Sequence, residues 1–203
     1  MSHIIVVGAG QAGSSLTAKL RNEGFDGQIT LIGAEPVPPY QRPPLSKKYL
    51  LGDMEEERLY LRPETFYADQ NITLRLGQPV TAIDAAAKTV SVGEATLRYD
   101  QLALTTGSRP NLLPAKVGGD LGGVFAVRSL ADVDAMTPAF NAGGHVLIIG
   151  GGYIGLEAAA VAAARGLKVT LVEMAERILQ RVAAPETSDY FRKLHSQHGV
   201  DIR

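Results

Sequence analysis

The 203 residues contain no cysteine. Disulfides, cysteine-ligated iron–sulfur clusters, thiolate nucleophiles and redox-active cysteine pairs are therefore excluded for this chain. An excess of either charge is also lacking: 20 basic residues face 21 acidic ones, for a formal net charge of −1. That balance gives no support for nucleic acid or an anionic membrane as a partner. No apolar run approaches the roughly 18 residues that a spanning helix needs. Met1-Ser2-His3 leads at once into an apolar strand and leaves no room for a signal peptide, so a cytoplasmic location is expected. Histidine is scarce; His3, His145, His195 and His198 show no metal-ligand spacing, and His195 with His198 reads as a solvated surface pair. No metal site is expected.

Glycine, by contrast, is plentiful and ordered. Two signatures stand out, Gly8-Ala9-Gly10-Gln11-Ala12-Gly13 and Gly150-Gly151-Gly152-Tyr153-Ile154-Gly155. Each follows an apolar run, Ile4-Ile5-Val6-Val7 or Val146-Leu147-Ile148-Ile149, and each precedes a helical stretch, a second apolar run and an acid. This context separates a dinucleotide-binding βαβ unit from a chance match of glycines. The first glycine permits a tight turn, the second lets backbone approach a pyrophosphate, and the third lets helix pack close to strand. The helix N-terminus then offers free N–H groups and a partial positive charge to the phosphates. Two such units predict two bound dinucleotides.

The acids refine this. Glu35 lies about 20 residues past the first glycines, where an acid accepts hydrogen bonds from an adenosine ribose; Ala34 occupies the alternative register, and a solvated loop carboxylate is the plainer reading. Glu173 ends the second returning strand and would repel a 2′-phosphate, which favours NADH over NADPH; Arg177 and Arg181 lie nearby, more commonly as solvated helix charges. Glu157 sits in apolar company just after Gly155, where a buried carboxylate needs a partner, and Lys47 could supply it. A surface-facing glutamate is the alternative.

Along the chain, helices are expected over 11–23 (with Ala12, Leu16 and Leu20 on its apolar face), from about 46, and over 63–69, 129–140 and 185–198. Short strands are expected over 72–104, with an antiparallel excursion at 84–100. Ser129 is a candidate cap. Pro110, Pro114 and Gly118-Gly119 suggest a linker, which divides the chain into 1–112 and 113–203. The second domain is expected to be unfinished, because 145–203 holds too few parallel strands. The segment Pro39-Tyr40-Gln41-Arg42-Pro43-Pro44-Leu45-Ser46-Lys47 reads as a rigid extended strap that delivers Arg42 and Lys47 to a fixed place, the plainer alternative being a surface proline loop.

The strap, the two glycine signatures, Thr105-Thr106-Gly107-Ser108-Arg109-Pro110 and the stretch from Gly150 to Glu157 together resemble the N-terminal half of the FAD-dependent ferredoxin reductases. The resemblance implies an α/β chain of two Rossmann-like dinucleotide-binding domains of the glutathione-reductase type: an FAD domain over 1–112 and the first part of an NAD domain over 113–203. It implies that Gly8, Gly10, Ala12, Gly13 and Glu35 hold the FAD adenosine and pyrophosphate. Arg42 and Lys47 would reach the flavin side, and Val80 (through its backbone), Thr106, Gly107 and Arg128 would complete the FAD contacts. Gly150, Gly152, Ile154, Gly155, Glu157 and Glu173 would contact NADH, with Tyr153 at the nicotinamide face. The implied activity passes electrons from NADH through FAD to a two-iron ferredoxin that serves an oxygenase, with Lys47 and Glu157 as catalytic residues. The remainder of such an enzyme would come from a second chain or a missing C-terminal half. A dinucleotide-binding signalling protein like apoptosis-inducing factor, and a rubredoxin or nitrite reductase subunit, are the alternatives.

Overall fold

The computed structural model describes residues 2–203. In chain order it contains β1 (His3–Val7), α1 (Gln11–Asn22), β2 (Gln28–Ile32), a 3-10 turn (Pro43–Ser46), α2 (Lys48–Leu51), α3 (Glu64–Asp69) and β3 (Ile72–Arg75). There follow β4 (Val80–Asp84), β5 (Thr89–Val92), β6 (Ala95–Arg98), β7 (Gln101–Leu104), α4 (Leu130–Ala142), β8 (His145–Ile149), α5 (Tyr153–Ala164), β9 (Lys168–Val172), α6 (Pro185–Gln197) and β10 (Val200–Ile202). The chain falls into two compact units, Met1–Gln41 with Glu56–Arg109, and Arg42–Glu55 with Pro110–Arg203. Residues 42–55 thus go with the second unit, a discontinuity that a single division at 112/113 does not contain.

In the first unit, four parallel strands run in the order β3-β2-β1-β7, with Val6 paired to Leu31 on one side and Ala103 on the other. Successive side chains of a strand point to opposite faces, so a strand buried on both faces reads as an unbroken apolar run. Ile4 and Val6 join Ile29, Leu31, Tyr67 and Ile72 in one core cluster, flanked by Leu16 and Leu20 of α1. Ile5 and Val7 join Ile32, Val90 and Val92 in another. That second cluster lies beneath the antiparallel sheet β4-β5-β6, the excursion expected from sequence. Helices, parallel sheet and antiparallel sheet form three layers. Full burial of one such aliphatic side chain stabilises by about 1.5–3 kcal/mol.

Two local expectations need correction. Ala12 is exposed, and the fully buried stripe of α1 is Gly13, Ser14, Thr17 and Ala18. Polar residues occupy it because their hydroxyls are satisfied: Thr17 donates to Gly13 O at 3.0 Å, while Ser14 Oγ lies 2.8 Å from Tyr67 OH and accepts from Arg62 Nη1 at 2.8 Å. The strap is not extended throughout. Pro43 and Pro44 open a 3-10 turn, since a proline φ near −65° suits helical as well as extended backbone.

The second unit has a parallel sheet in the order β10-β9-β8. Leu156, Ala158, Ala159, Val161 and Ala162 of α5 are buried. Helix α4 begins at Ser129, whose side chain accepts from Asp132 N while Asp132 accepts from the Ser129 amide, a complete capping box. Residues 42–55 are tied into this unit at several points: Tyr49 OH donates to Asp134 at 2.7 Å, and Arg165 Nη2 donates to Leu51 O at 2.7 Å. The two units repeat one another in detail. His3 Nε2 lies 2.9 Å from Thr30 Oγ1, and His145 Nε2 lies 2.9 Å from Thr170 Oγ1, each histidine opening the first strand of its βαβ unit. Alternate side chains of β8 face solvent, with Leu147 and Ile149 exposed.

Candidate functional site

Each glycine signature forms the turn between strand and helix, and the three glycines have separable jobs. Gly8 has φ +112°, and a Cβ there would stand 2.2 Å from Thr105 O. Its amide donates to Ile32 O at 2.8 Å. A Cβ on Gly13 would stand 2.1 Å from Gly8 O, so the first turn of α1 packs directly on the loop. Gly10, between them, has nothing within 4 Å of its Cβ direction. The second loop repeats this geometry except at its first glycine, where nothing lies within 4 Å of a Cβ. Gly150 has φ +109° and its amide donates to Val172 O at 2.8 Å; a Cβ on Gly155 would lie 2.0 Å from Gly150 O; Gly152 faces open space.

The helices behind the two loops start alike. Helices α1 and α5 begin at Gly10 and Gly152 caps, with no side-chain cap bond and no acid in the first turn. Helices α4 and α6 both carry an acid in the first turn. The first amides of a helix lack intrahelical partners, and the macrodipole adds a partial positive charge. Two open cradles therefore present bare N–H groups to an anion, and the residues fit a dinucleotide diphosphate in both.

Other expected residues take definite places. Thr106 and Gly107 follow β7 and are exposed, next to Thr105, whose hydroxyl donates to Gly8 O at 2.8 Å and Val7 O at 3.1 Å. Thr105 therefore shapes the first loop, a role that motif reading missed; a polar residue at the end of an apolar strand was its signal. Val80 opens β4 and packs on the second core cluster. Glu35 accepts from Tyr40 OH at 2.6 Å. Glu173 binds its own loop: Oε2 accepts from Gly151 N at 2.6 Å and Oε1 from Ala175 N at 2.8 Å. Those amides, Ala175 first and then Gly151, hold the carboxyl below its ordinary value against the opposing effect of burial; Arg181 adds to the lowering. Arg177 is committed to structure, donating to Ala183 O and Ser188 Oγ. Tyr153 and Ile154 are exposed at the start of α5.

A third group gathers within the second unit. Lys47 Nζ lies 2.8 Å from Glu157 Oε1, and Ser46 Oγ donates to Glu157 Oε2 at 2.6 Å. The partner expected for Glu157 is thus present, with Ser46 as an addition that the sequence did not disclose. Arg42 Nη1 donates to Arg128 O at 2.6 Å, so these two residues, read separately as flavin contacts, meet each other. Glu157 and Tyr153 also stand at the wall of an apolar cavity of about 510 Å³, bordered by Leu156, Phe191 and His195. Burial, with a smaller effect of His198, holds the His195 imidazole below its ordinary value. Among the described residues no cluster of side chains could hold a metal ion, and no helix is long and apolar enough to cross a membrane.

Comparison with known proteins places this geometry. The family model described as pyridine nucleotide-disulphide oxidoreductase matches residues 2–203. Rhodocoxin reductase of Rhodococcus erythropolis is 44% identical over 201 residues, which is 98% of this chain and 47% of that protein. A ferredoxin–NAD(P)(+) reductase of a Sphingomonas species is 43% identical, covering 98% of this chain and 48% of its own length. The crystal structure of a covalent putidaredoxin reductase–putidaredoxin complex contains a chain with a TM-score of 0.93 and 41% identity, matched over 100% of this chain and 49% of that one. The chain spans about half the length of the curated relatives it matches. It belongs to the pyridine nucleotide-disulphide oxidoreductase family.

Proposed function

We propose that this chain belongs to a cytoplasmic NADH-dependent flavoprotein reductase that delivers electrons to a small two-iron ferredoxin serving an oxygenase. The observation that carries the reading is the pair of matching cradles, each with an open middle glycine and an uncapped helix behind it. Residues 1–112 are assigned to FAD and 113–203 to NADH. The relatives named for ferredoxin and the relative captured with putidaredoxin support the choice of acceptor. Reduction of a disulfide through a cysteine pair has no residues here to perform it, whatever the family's name.

FAD, when bound, supplies the step from two-electron to one-electron chemistry. The chain supplies binding, orientation and charge. Gly8, Gly10, Ala12 and Gly13 grip the FAD diphosphate through backbone, Glu35 takes the ribose, and Val80, Thr106 and Gly107 line the remainder. Arg42 and Arg128 are assigned to the FAD side, with the Arg42–Arg128 bond fixing the strap. Gly150, Gly152, Ile154 and Gly155 grip the NADH diphosphate. Glu173 already presents a carboxylate anchored on its loop, so a 2′-phosphate would meet fixed negative charge. The Lys47 ammonium would stabilise negative charge developing on the reduced cofactor, and Glu157 would hold Lys47 and orient the nicotinamide beside Tyr153. Orientation of this kind contributes most when reacting atoms are held at roughly 3–3.5 Å.

Anaerobic stopped-flow mixing of the FAD-loaded protein with NADH tests the reading. The flavin absorbance should bleach, and Lys47→Ala should slow the bleaching. Absence of bleaching at saturating NADH would overturn it.

A further inference from the structure

Glu157 is held by two neighbours in sequence that differ in every physical respect. Lys47 reaches Oε1 at 2.8 Å with a long side chain that remains 47% exposed. An ion pair so exposed is screened, and the only further hold on the Lys47 ammonium among the described residues is an exposed 3.3 Å bond to Pro43 O. Ser46 reaches Oε2 at 2.6 Å from a residue that is 4% exposed. Its hydroxyl has a single side-chain torsion, and the turn that carries it opens with Pro43 and Pro44, whose φ angles are fixed. An ionised carboxylate only accepts, so the serine proton points at Oε2.

We infer that Ser46 is a positioning residue of the proposed site: its buried hydroxyl, rather than the lysine, sets the plane of the Glu157 carboxylate. Lys47 then provides charge and Ser46 provides direction. Without the hydroxyl, the carboxylate keeps one flexible anchor and turns about it. The inference rests on the reading of Glu157 as the nicotinamide-orienting acid.

The test compares wild type, Ser46→Ala, Ser46→Thr, Glu157→Gln and Ser46→Ala/Glu157→Gln. In ligand-free protein carrying ¹³C at glutamate Cδ, the Glu157 resonance is assigned by its loss in Glu157→Gln. Ser46→Ala should move that resonance, and Ser46→Thr should restore it. In FAD-loaded protein, Ser46→Ala should lower the limiting rate of reduction by NADH about tenfold, and should add nothing in the Glu157→Gln background. An unmoved resonance, or slowing that persists undiminished without Glu157, overturns the assignment of Ser46. If Glu157→Gln is reduced at the wild-type rate, the reading of Glu157 fails and the inference falls with it; if Glu157→Gln is slow while Ser46→Ala is not, only the inference falls. Should Ser46→Ala not fold, the Glu157 resonance of Lys47→Ala, with Ser46 its remaining partner, should still show an isotope shift on transfer from H₂O to D₂O beyond that of a solvated glutamate. A shift no larger than that of a solvated glutamate overturns the proposal.

Discussion

Alanine at Gly10 and at Gly13 should produce opposite phenotypes, although the two positions are three residues apart in one loop. At Gly13 the new Cβ would lie 2.1 Å from Gly8 O. Carbon–oxygen contacts seldom close below about 3.3 Å, so α1 has to retreat by more than an ångström from the turn it packs on. Overpacking of this kind costs about 1–3 kcal/mol of folding free energy. At Gly10 the backbone, φ −99° and ψ −163°, is extended and open to alanine, and nothing lies within 4 Å. Alanine is a poorer helix cap than glycine by about 0.5–1 kcal/mol, but restricting the unfolded chain returns about 0.4–1 kcal/mol. Stability should therefore change by less than about 0.5 kcal/mol. The methyl group instead fills the space that a diphosphate must enter. If displacing the ligand costs about 1–3 kcal/mol, FAD binding weakens roughly 5- to 150-fold. Urea unfolding of the ligand-free protein and FAD titration by flavin fluorescence read the two quantities separately. Gly10→Ala binding FAD as tightly as wild type, or Gly13→Ala unfolding at the wild-type urea concentration, would refute the reasoning.

Three further outcomes are expected. Glu173→Ala should raise the affinity for NADPH relative to NADH, measured by equilibrium titration, because the fixed carboxylate that opposes a 2′-phosphate is gone. The same carboxyl gives a pH signature: held below its usual 4.5 in the fold, it contributes stability that is present above that value and is lost as pH falls through the lowered one. Urea unfolding below about pH 4.5 should therefore decline less steeply in Glu173→Gln than in wild type. Ser14→Ala should cost about 0.5–1.5 kcal/mol in urea unfolding, since it removes one hydrogen bond from the buried Tyr67 hydroxyl, which keeps Arg62 as its other partner.

Much of the fold was legible because local signals and global layering agree. Ile4-Ile5-Val6-Val7 reads as a strand buried on both faces and is one, and Gly8 and Gly150 sit where the turn demands positive φ. Ser129 was readable as a cap because its partner Asp132 lies within one turn. The misreadings have physical causes. Periodicity put Ala12 on the buried face of α1, but the face that packs inward is the one carrying Gly13, Ser14, Thr17 and Ala18, where Gly13 meets the loop and the two hydroxyls find partners inside the unit. The prolines of the strap signalled restricted φ, which is as compatible with the 3-10 turn at Pro43–Ser46 as with extension. At the site, single residues were identifiable but their pairings were not. Ser46 bonds Glu157 across 111 positions, and Arg42 bonds Arg128 across 86. Such separations leave no trace in local spacing. Thr105 was passed over because its work is done by a hydroxyl turned back on the backbone of Val7 and Gly8.

The most direct test of the central claim, that each open glycine cradle holds its own dinucleotide, is a crossed binding measurement. FAD and NAD⁺ are titrated calorimetrically into wild type, Gly10→Ala and Gly152→Ala. The account predicts that Gly10→Ala weakens FAD binding and leaves that of NAD⁺ unchanged, while Gly152→Ala leaves FAD binding unchanged and weakens that of NAD⁺. Both variants weakening the same dinucleotide, or neither weakening any, would contradict it.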